Sequence, residues 1–209
     1  MTRLVLVRHG RTEWNRLGRI QGQTDVELDD VGVAQAAAVA PYIAGFEPVA
    51  IWASDLSRAS ATAARIAVEC GLLVRHDARL RERGFGELEG LSHREFAKRS
   101  PEEYDAFRAG DFDLIRAAEE SGVVATRLGE AAFALEDALE EGETGVIVSH
   151  GAALKLLVGA LIGLTPEASV SSLVGMDNCA WAEVELQAGA GRLVAYNRTA
   201  PGVAAVTSA

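Results

Sequence analysis

The sequence predicts an α/β fold: a three-layer sandwich with a largely parallel central sheet, helices on both faces and an antiparallel edge strand. Three observations carry this. Short apolar runs, Leu4 to Val7, Val49 to Ala53 and Thr144 to Val148, read as strands buried on both faces. Capped stretches with helical spacing lie between them. Toward the C-terminus, Trp181 to Leu186 and Arg192 to Tyr196 alternate apolar and polar around Ala188-Gly189-Ala190-Gly191, the pattern of a hairpin.

The first run, bounded by Arg3 and Arg8, is followed by a polar connection with Gly18 and Gly22, expected to lie over a site. Asp29 or Asp30 can cap a helix through Ala34 to Val39, with Pro41 and Gly45 near its end. After the second strand, Ser54-Asp55-Leu56-Ser57 is a cap-rich turn opening a helix from Arg58 to Cys70, which Gly71 stops. Leu72 to Val74 reads as a third strand. The stretch from Leu80 to Gly90, with three glycines, suits an irregular loop. Ser92-His93-Arg94-Glu95 is a capping box for a helix to about Arg99, and Pro101 starts another through Phe107. A long helix is expected from Val123 to Glu140, ended by Gly142. The fourth strand then runs into Ser149-His150-Gly151 and a helix from Ala152 to Ile162. One domain is expected over residues 1–198, with a lid over about 91–122 and a frayed tail at 199–209.

A net charge of −10 argues against a nucleic-acid surface, which needs a basic stripe, but not against small anions met by a local Arg cluster. Cys70 and Cys179 lie far apart among apolar residues and read as reduced core thiols. No run approaches transmembrane length and no secretory signal is visible, so no membrane association and a cytoplasmic location are expected. No metal-ligand spacing is present, so no metal or other cofactor is expected.

Residues just past the carboxyl ends of parallel strands line the ligand crevice of an open α/β sheet. Two of the strands end alike, in Val7-Arg8-His9-Gly10 and Val148-Ser149-His150-Gly151. A third end, Ala53-Ser54-Asp55-Leu56-Ser57-Arg58, puts an Arg on the first turn of its helix, whose N-terminus itself favours anions. A lone strand-end histidine is ordinarily a hydrogen-bonded structural residue, and a lone helix-start arginine a solvated charge. Two histidines and two arginines converging on one crevice instead describe an anion pocket holding a nucleophile, with Gly10 letting backbone approach a phosphate.

Together with Thr12 and Asn15, Leu80-Arg81-Glu82, Phe85-Gly86 and Glu89-Gly90, these segments resemble the histidine phosphatase, or phosphoglycerate mutase-like, superfamily. The pieces run in family order from residue 4 to 151 and look most like the cofactor-independent, broad-specificity phosphatase branch. The resemblance implies that His9 attacks phosphorus to form a phosphohistidine, and that Arg8, Arg58 and His150 hold the phosphoryl oxygens. It implies that Glu82 protonates the leaving alkoxide and then activates water. Asn15, Gln21, Gly22 and Gly151 are further phosphate-binding candidates. Glu87 and Glu89 are rival carboxylates in the same loop, and Glu82 could simply pair with Arg81 or Arg83. His76 and His93 read as structural or solvated, and Arg94, Lys98 and Arg99 as a plain helix surface.

The chain departs from the family at Arg11, where Glu or Gln is usual, which adds positive charge beside the pocket. Glu119-Glu120-Ser121 stands where a Gly-Gly-Glu-Ser-like segment is common, so Glu120 and Ser121 alone carry over there. The implied function is hydrolysis of a small organic phosphate, a sugar phosphate or phosphoglycerate-type compound. Phosphoglycerate mutase-type transfer is the alternative, and a catalytically silent phospho-ligand binder a third. Mutases of the family carry a longer insertion than the 60 positions from Gly90 to His150. Phe96, Tyr104, Phe107 and Phe112 in that stretch fit an organic leaving group or core packing. The strand at Trp181 is a candidate edge through which a homodimer could form.

Overall fold

The computed structural model describes residues 1–187 and 190–201. The hairpin tip at Ala188 and Gly189 and most of the expected tail, 202–209, lie outside the described residues.

Six strands, β1 (Thr2–Arg8), β2 (Ala50–Ala53), β3 (Val74–His76), β4 (Thr144–Ser149), β5 (Trp181–Gln187) and β6 (Ala190–Arg198), form one sheet in the order β3-β2-β4-β1-β5-β6. The first four run parallel, while β5 pairs antiparallel with β1 and β6 with β5. The strand from Trp181 is therefore not an edge: it is paired on both sides, and the outermost strands are β3 and β6.

The sheet's two faces follow from the two-residue period of a strand. Leu4 and Leu6 of β1 pack with helices α6 (Ser121–Glu136) and α7 (Gly151–Leu161), while Val5 and Val7 face α2 (Asp30–Ala44) and α3 (Ser57–Cys70). All four aliphatics are fully buried, each worth roughly 1.5–3 kcal/mol relative to exposure. A third apolar cluster, around Phe85, Phe96 and Ile115, is built mainly by α4 (His93–Arg99), α5 (Pro101–Ala109) and the turns beside them.

Local signals set most boundaries. Asp29 Oδ1 accepts the Gly32 N–H at 2.8 Å as the α2 cap, and the Ser92–Glu95 capping box forms as expected. Elsewhere tertiary contacts overrule the sequence. The side chains of the Ser54–Ser57 turn do not cap α3. Asp25, from the preceding connection, does so by accepting from Ser57 N–H at 2.8 Å and Ser57 Oγ at 2.7 Å. β3 starts at Val74 rather than Leu72, because the αL turn at Gly71 sends Leu72 N–H back to Ala67 and leaves Leu73 93% exposed. α6 runs from Ser121 to Glu136, starting earlier and ending earlier than expected, because tight turns after Asp137 carry the chain to Gly142, whose N–H bonds Met1 O. Two helices were not expected: α1 (Glu13–Arg16), capped by Thr12, and α8 (Pro166–Ser172), whose cap Thr165 and first-position Pro166 are ordinary start signals.

The register then does the decisive work. Arg8 lies opposite Ser149, and Ala53 opposite Val148, so His9, His150 and Ser54 each leave the sheet at the same end. Among the described residues no single helix is long and apolar enough to cross a membrane.

Candidate active site

His9 and His150 stand side by side, ring centroids 5.1 Å apart. His9 is 3% exposed. Its Nδ1 lies 2.6 Å from the Gly10 carbonyl, which can only accept, so Nδ1 carries the proton and Nε2 keeps the lone pair. Burial first, then the charges of Arg58 and Arg8, hold its pKa well below the ordinary histidine value, so the ring is neutral. The backbone around it is fixed: Ser149 O accepts from His9 N–H, and Asn178 Nδ2 donates to His9 O at 3.1 Å.

The guanidinium of Arg58 is fully buried. It donates through Nε to His150 Nδ1 at 3.1 Å, through Nη1 to Thr24 O at 2.9 Å and through Nη2 to Gly22 O at 2.8 Å. Burial pulls its pKa down to about 10. Arg8 donates through Nη1 to Met176 O, and its buried Nε has no partner among the described residues. Neither arginine is within ion-pair distance of a carboxylate among the described residues. Burying an unpaired cation costs several kcal/mol, so two together form a site built for an anion.

His150 is brought to the site but meets different partners from those expected. Arg58 always donates, so His150 Nδ1 accepts; Nε2 then carries the proton and donates to Ser54 Oγ at 2.9 Å. With both nitrogens taken, it sits behind Arg58 and holds that guanidinium in place, outside the cavity wall. Ser54, fully buried, is a site residue that sequence reasoning missed as such. Its signal was its place one step past β2, equivalent to His9 after β1.

The carboxylates separate by their partners. Glu82 Oε1 accepts the N–H groups of Arg83 and Ala153, both at 2.8 Å, and Oε2 that of Ala152 at 3.1 Å, so the side chain sits on the α7 N-terminus. Glu89 accepts from Gln23 N–H, Phe85 N–H, Thr24 N–H and Thr24 Oγ1, which saturates it as the clamp of the 20–24 loop. Gly22 at φ +54° lets that loop pass: a Cβ there would fall 2.0 Å from Glu89 Oε1. Glu87 is on the surface, paired with Arg99. Glu82 alone of the three lines the cavity.

That cavity, about 290 Å³, suits a small molecule, and Arg8, His9, Asn15, Gln21, Gly22, Arg58 and Gly151 all border it. Asn15 Oδ1 is occupied by Thr12, and Gln21 Oε1 lies 2.9 Å from Thr12 Oγ1, so each amide has its Nε2 or Nδ2 left as a donor. Gly151 is small because Arg8 Nε would sit 3.3 Å from a Cβ there.

Three expectations change. Gly10 carries a packing requirement the sequence did not reveal: its Cβ would lie 2.5 Å from Gly32 O of α2. Arg11 pairs with Asp29 at 2.8 Å and adds no free charge to the pocket. His93, expected to be idle, borders the cavity with Phe107 and Phe112, edge-on to Phe107 at 5.4 Å. Of the Glu119–Ser121 segment, Ser121 Oγ accepts from Arg83 and Glu119 pairs with Arg127, while Glu120 is an exposed helix-start residue. His76 is held by Ser60 on the surface, and Arg94 and Lys98 are exposed.

The family model for the histidine phosphatase superfamily (branch 1) matches residues 4–199. The chain belongs to this superfamily. Among relatives, it is 41% identical over 166 residues to a metal-independent phosphoserine phosphatase of Arabidopsis thaliana, covering 75% of this chain and 67% of that one. It is 36% identical over 190 residues to a probable phosphoglycerate mutase of Yersinia pestis, covering 90% of this chain and 86% of that one. Among solved structures, mycobacterial glucosyl-3-phosphoglycerate phosphatase complexed with VO3 superposes with a TM-score of 0.85 at 32% identity, over 94% of this chain and 99% of that one. This histidine phosphatase is an enzyme of the phosphatase class. Among its described residues no group of three or more His, Cys, Asp or Glu could hold a metal ion.

Proposed function

We propose that this histidine phosphatase hydrolyses a small organic phosphomonoester through a phosphohistidine on His9 Nε2. The observation that carries the reading is the His9 tautomer, an unprotonated Nε2 held by the 2.6 Å Nδ1–Gly10 bond beside two arginines with no carboxylate partner. Nε2 attacks phosphorus, the P–O bond to the leaving group breaks, and Glu82 gives its proton to the departing oxygen. The same carboxylate then takes a proton from water as the water oxygen attacks phosphorus and the P–N bond breaks. Arg8 and Arg58 meet the charge spreading over the phosphoryl oxygens, with Arg58 held by His150 and Ser54. The Asn15 and Gln21 amides and the start of α7 at Gly151 complete the cradle. The segment over 91–122 acts as the lid, through Phe107 and Phe112. A sugar phosphate or phosphoglycerate-type compound fits a cavity of this size, and the Arabidopsis and mycobacterial phosphatases it resembles act, by name, on phosphorylated small molecules. A cytoplasmic location is supported by Cys70 and Cys179, both free thiols.

The test is hydrolysis of p-nitrophenyl phosphate in excess chelator, with alkaline trapping of the phosphoenzyme from labelled substrate. Wild type should turn over and trap label. A trapped phosphoenzyme in His9→Ala, or turnover in wild type with no phosphoenzyme under any quench, would rule out His9 as the nucleophile.

A further inference from the structure

Two arginines are fully buried among the described residues, and they face different tasks. Arg58 walls the cavity, whereas Arg83 does not border it. Burying a guanidinium is costly, and an apolar side chain would fill the same space more cheaply. The partners of Arg83 say what its charge is for. Nη1 donates to Glu119 O, Nη2 donates to Ser121 Oγ at 2.8 Å, and Asp113 Oδ1 lies 3.5 Å from Nη1. The guanidinium carbon sits 4.7 Å from the centre of the Phe112 ring, within cation–π range. Nε has no partner among the described residues, so the fork works through its two Nη ends.

Every one of these contacts lies on the segment that covers the cavity. Phe112 and Asp113 follow α5, and Glu119 and Ser121 lead into α6. Asp113 Oδ1 also accepts the Ser121 N–H at 2.7 Å, which closes the segment around the guanidinium. The same residue reaches the acid by its main chain, since Arg83 N–H donates to Glu82 Oε1 at 2.8 Å. Phe112 borders the cavity and lies edge-on to Phe85 at 5.7 Å and Phe107 at 5.6 Å, which border it too. Aromatic rings have no donors for a phosphate dianion, so this wall faces the organic part of the ester. One residue thus ties the carboxylate of Glu82 to the ring on the leaving-group side.

We infer that Arg83 is a positioning residue whose buried fork latches the 112–121 segment over the cavity and sets Phe112 against the leaving group. The inference rests on the phosphatase reading for which end of the cavity holds that group, and adds how the cover is kept in place. The latch acts through a population: a ligand that needs Phe112 binds in proportion to the fraction of molecules with the segment closed. Inorganic phosphate, held by Arg8 and Arg58 alone, does not need it.

The test measures calorimetric binding of p-nitrophenyl phosphate and of inorganic phosphate to His9→Ala, with and without Arg83→Met. Arg83→Met should weaken p-nitrophenyl phosphate by about tenfold and inorganic phosphate by less than about twofold, the tenfold being a closed fraction cut to about a tenth. Equal losses for both ligands, or none for either, overturn the inference, because general damage to the fold does not discriminate between them. Phe112→Leu should reproduce the selective loss, and adding Arg83→Met to it should weaken binding no further; additive losses would mean separate routes and overturn the latch. Should Arg83→Met fail to fold, Ser121→Ala removes only the Nη2 acceptor and should shift the ratio the same way; an unchanged ratio overturns the inference. With His9 present, Arg83→Met should raise KM for p-nitrophenyl phosphate while kcat holds within about threefold, because the main-chain bond to Glu82 survives. A fall in kcat at unchanged KM overturns it. If the His9 enzyme hydrolyses no phosphomonoester but the selective binding loss is seen, the phosphatase reading fails and the latch stands.

Discussion

Replacing Glu82 by Gln separates the acid role proposed for this carboxylate from the capping role its hydrogen bonds show. Its two oxygens accept three N–H groups, two on Oε1 and one on Oε2. An amide placed with its oxygen at Oε1 keeps the bonds from Arg83 and Ala153 and turns an NH2 toward the Ala152 N–H. One unsatisfied donor pair costs about 1–3 kcal/mol of stability, which a folded domain can survive. The chemical loss is larger and depends on the leaving group. Losing a general acid costs roughly 10²- to 10⁴-fold, or about 3–5 kcal/mol of barrier, for an alkoxide that must be protonated as it leaves. Nitrophenolate leaves without a proton, so with p-nitrophenyl phosphate the first step should be nearly spared in Glu82→Gln. The second step still lacks its base. A stopped-flow trace should therefore show a burst of nitrophenol and an accumulating phosphoenzyme, while glycerol 3-phosphate gives neither. Equal losses for both substrates with no burst would refute the acid–base role and leave Glu82 as the cap of α7.

Two further outcomes follow from packing and burial. Gly10→Ala should cost about 1–3 kcal/mol in urea denaturation, because its Cβ would lie 2.5 Å from Gly32 O and β1 must back away from α2; an unchanged midpoint would contradict that contact. His9 and His150 are held neutral in the fold by burial and by Arg58, whereas unfolded histidines take up protons below about pH 6.5, so acid favours the unfolded chain. From about pH 6.5 downward until the folded rings protonate, stability should fall by up to about 1.4 kcal/mol per pH unit for each ring, and His9→Gln should flatten the slope; a flat wild-type profile would refute the neutral pair.

Much of this protein was legible in the chain itself. Uninterrupted apolar runs in Leu4 to Val7 and Val146 to Val148 require burial on two faces, and that demand fixes a sheet between helices whatever the strand order. Strand ends followed by Arg8-His9-Gly10, Ser149-His150-Gly151 and Ser54 to Arg58 were enough to place a phosphate chemistry, because in a parallel sheet such ends share one edge. Capping at Asp29 and Ser92 is local, and it came out as read.

What only the tertiary structure decided depends on residues distant in sequence. Asp25 caps α3 across 32 positions, and no local pattern could assign that donor to it. Glu82, Glu87 and Glu89 are alike in sequence, and only their partners, the α7 N–H groups, Arg99 and the 20–24 loop, separate an acid candidate from a surface charge and a clamp. Arg11 lost its influence to Asp29, a partner 18 positions away in sequence. Charge type is written in the chain, but a charge acts through whatever lies within a few ångströms of it, and long-range packing alone sets that.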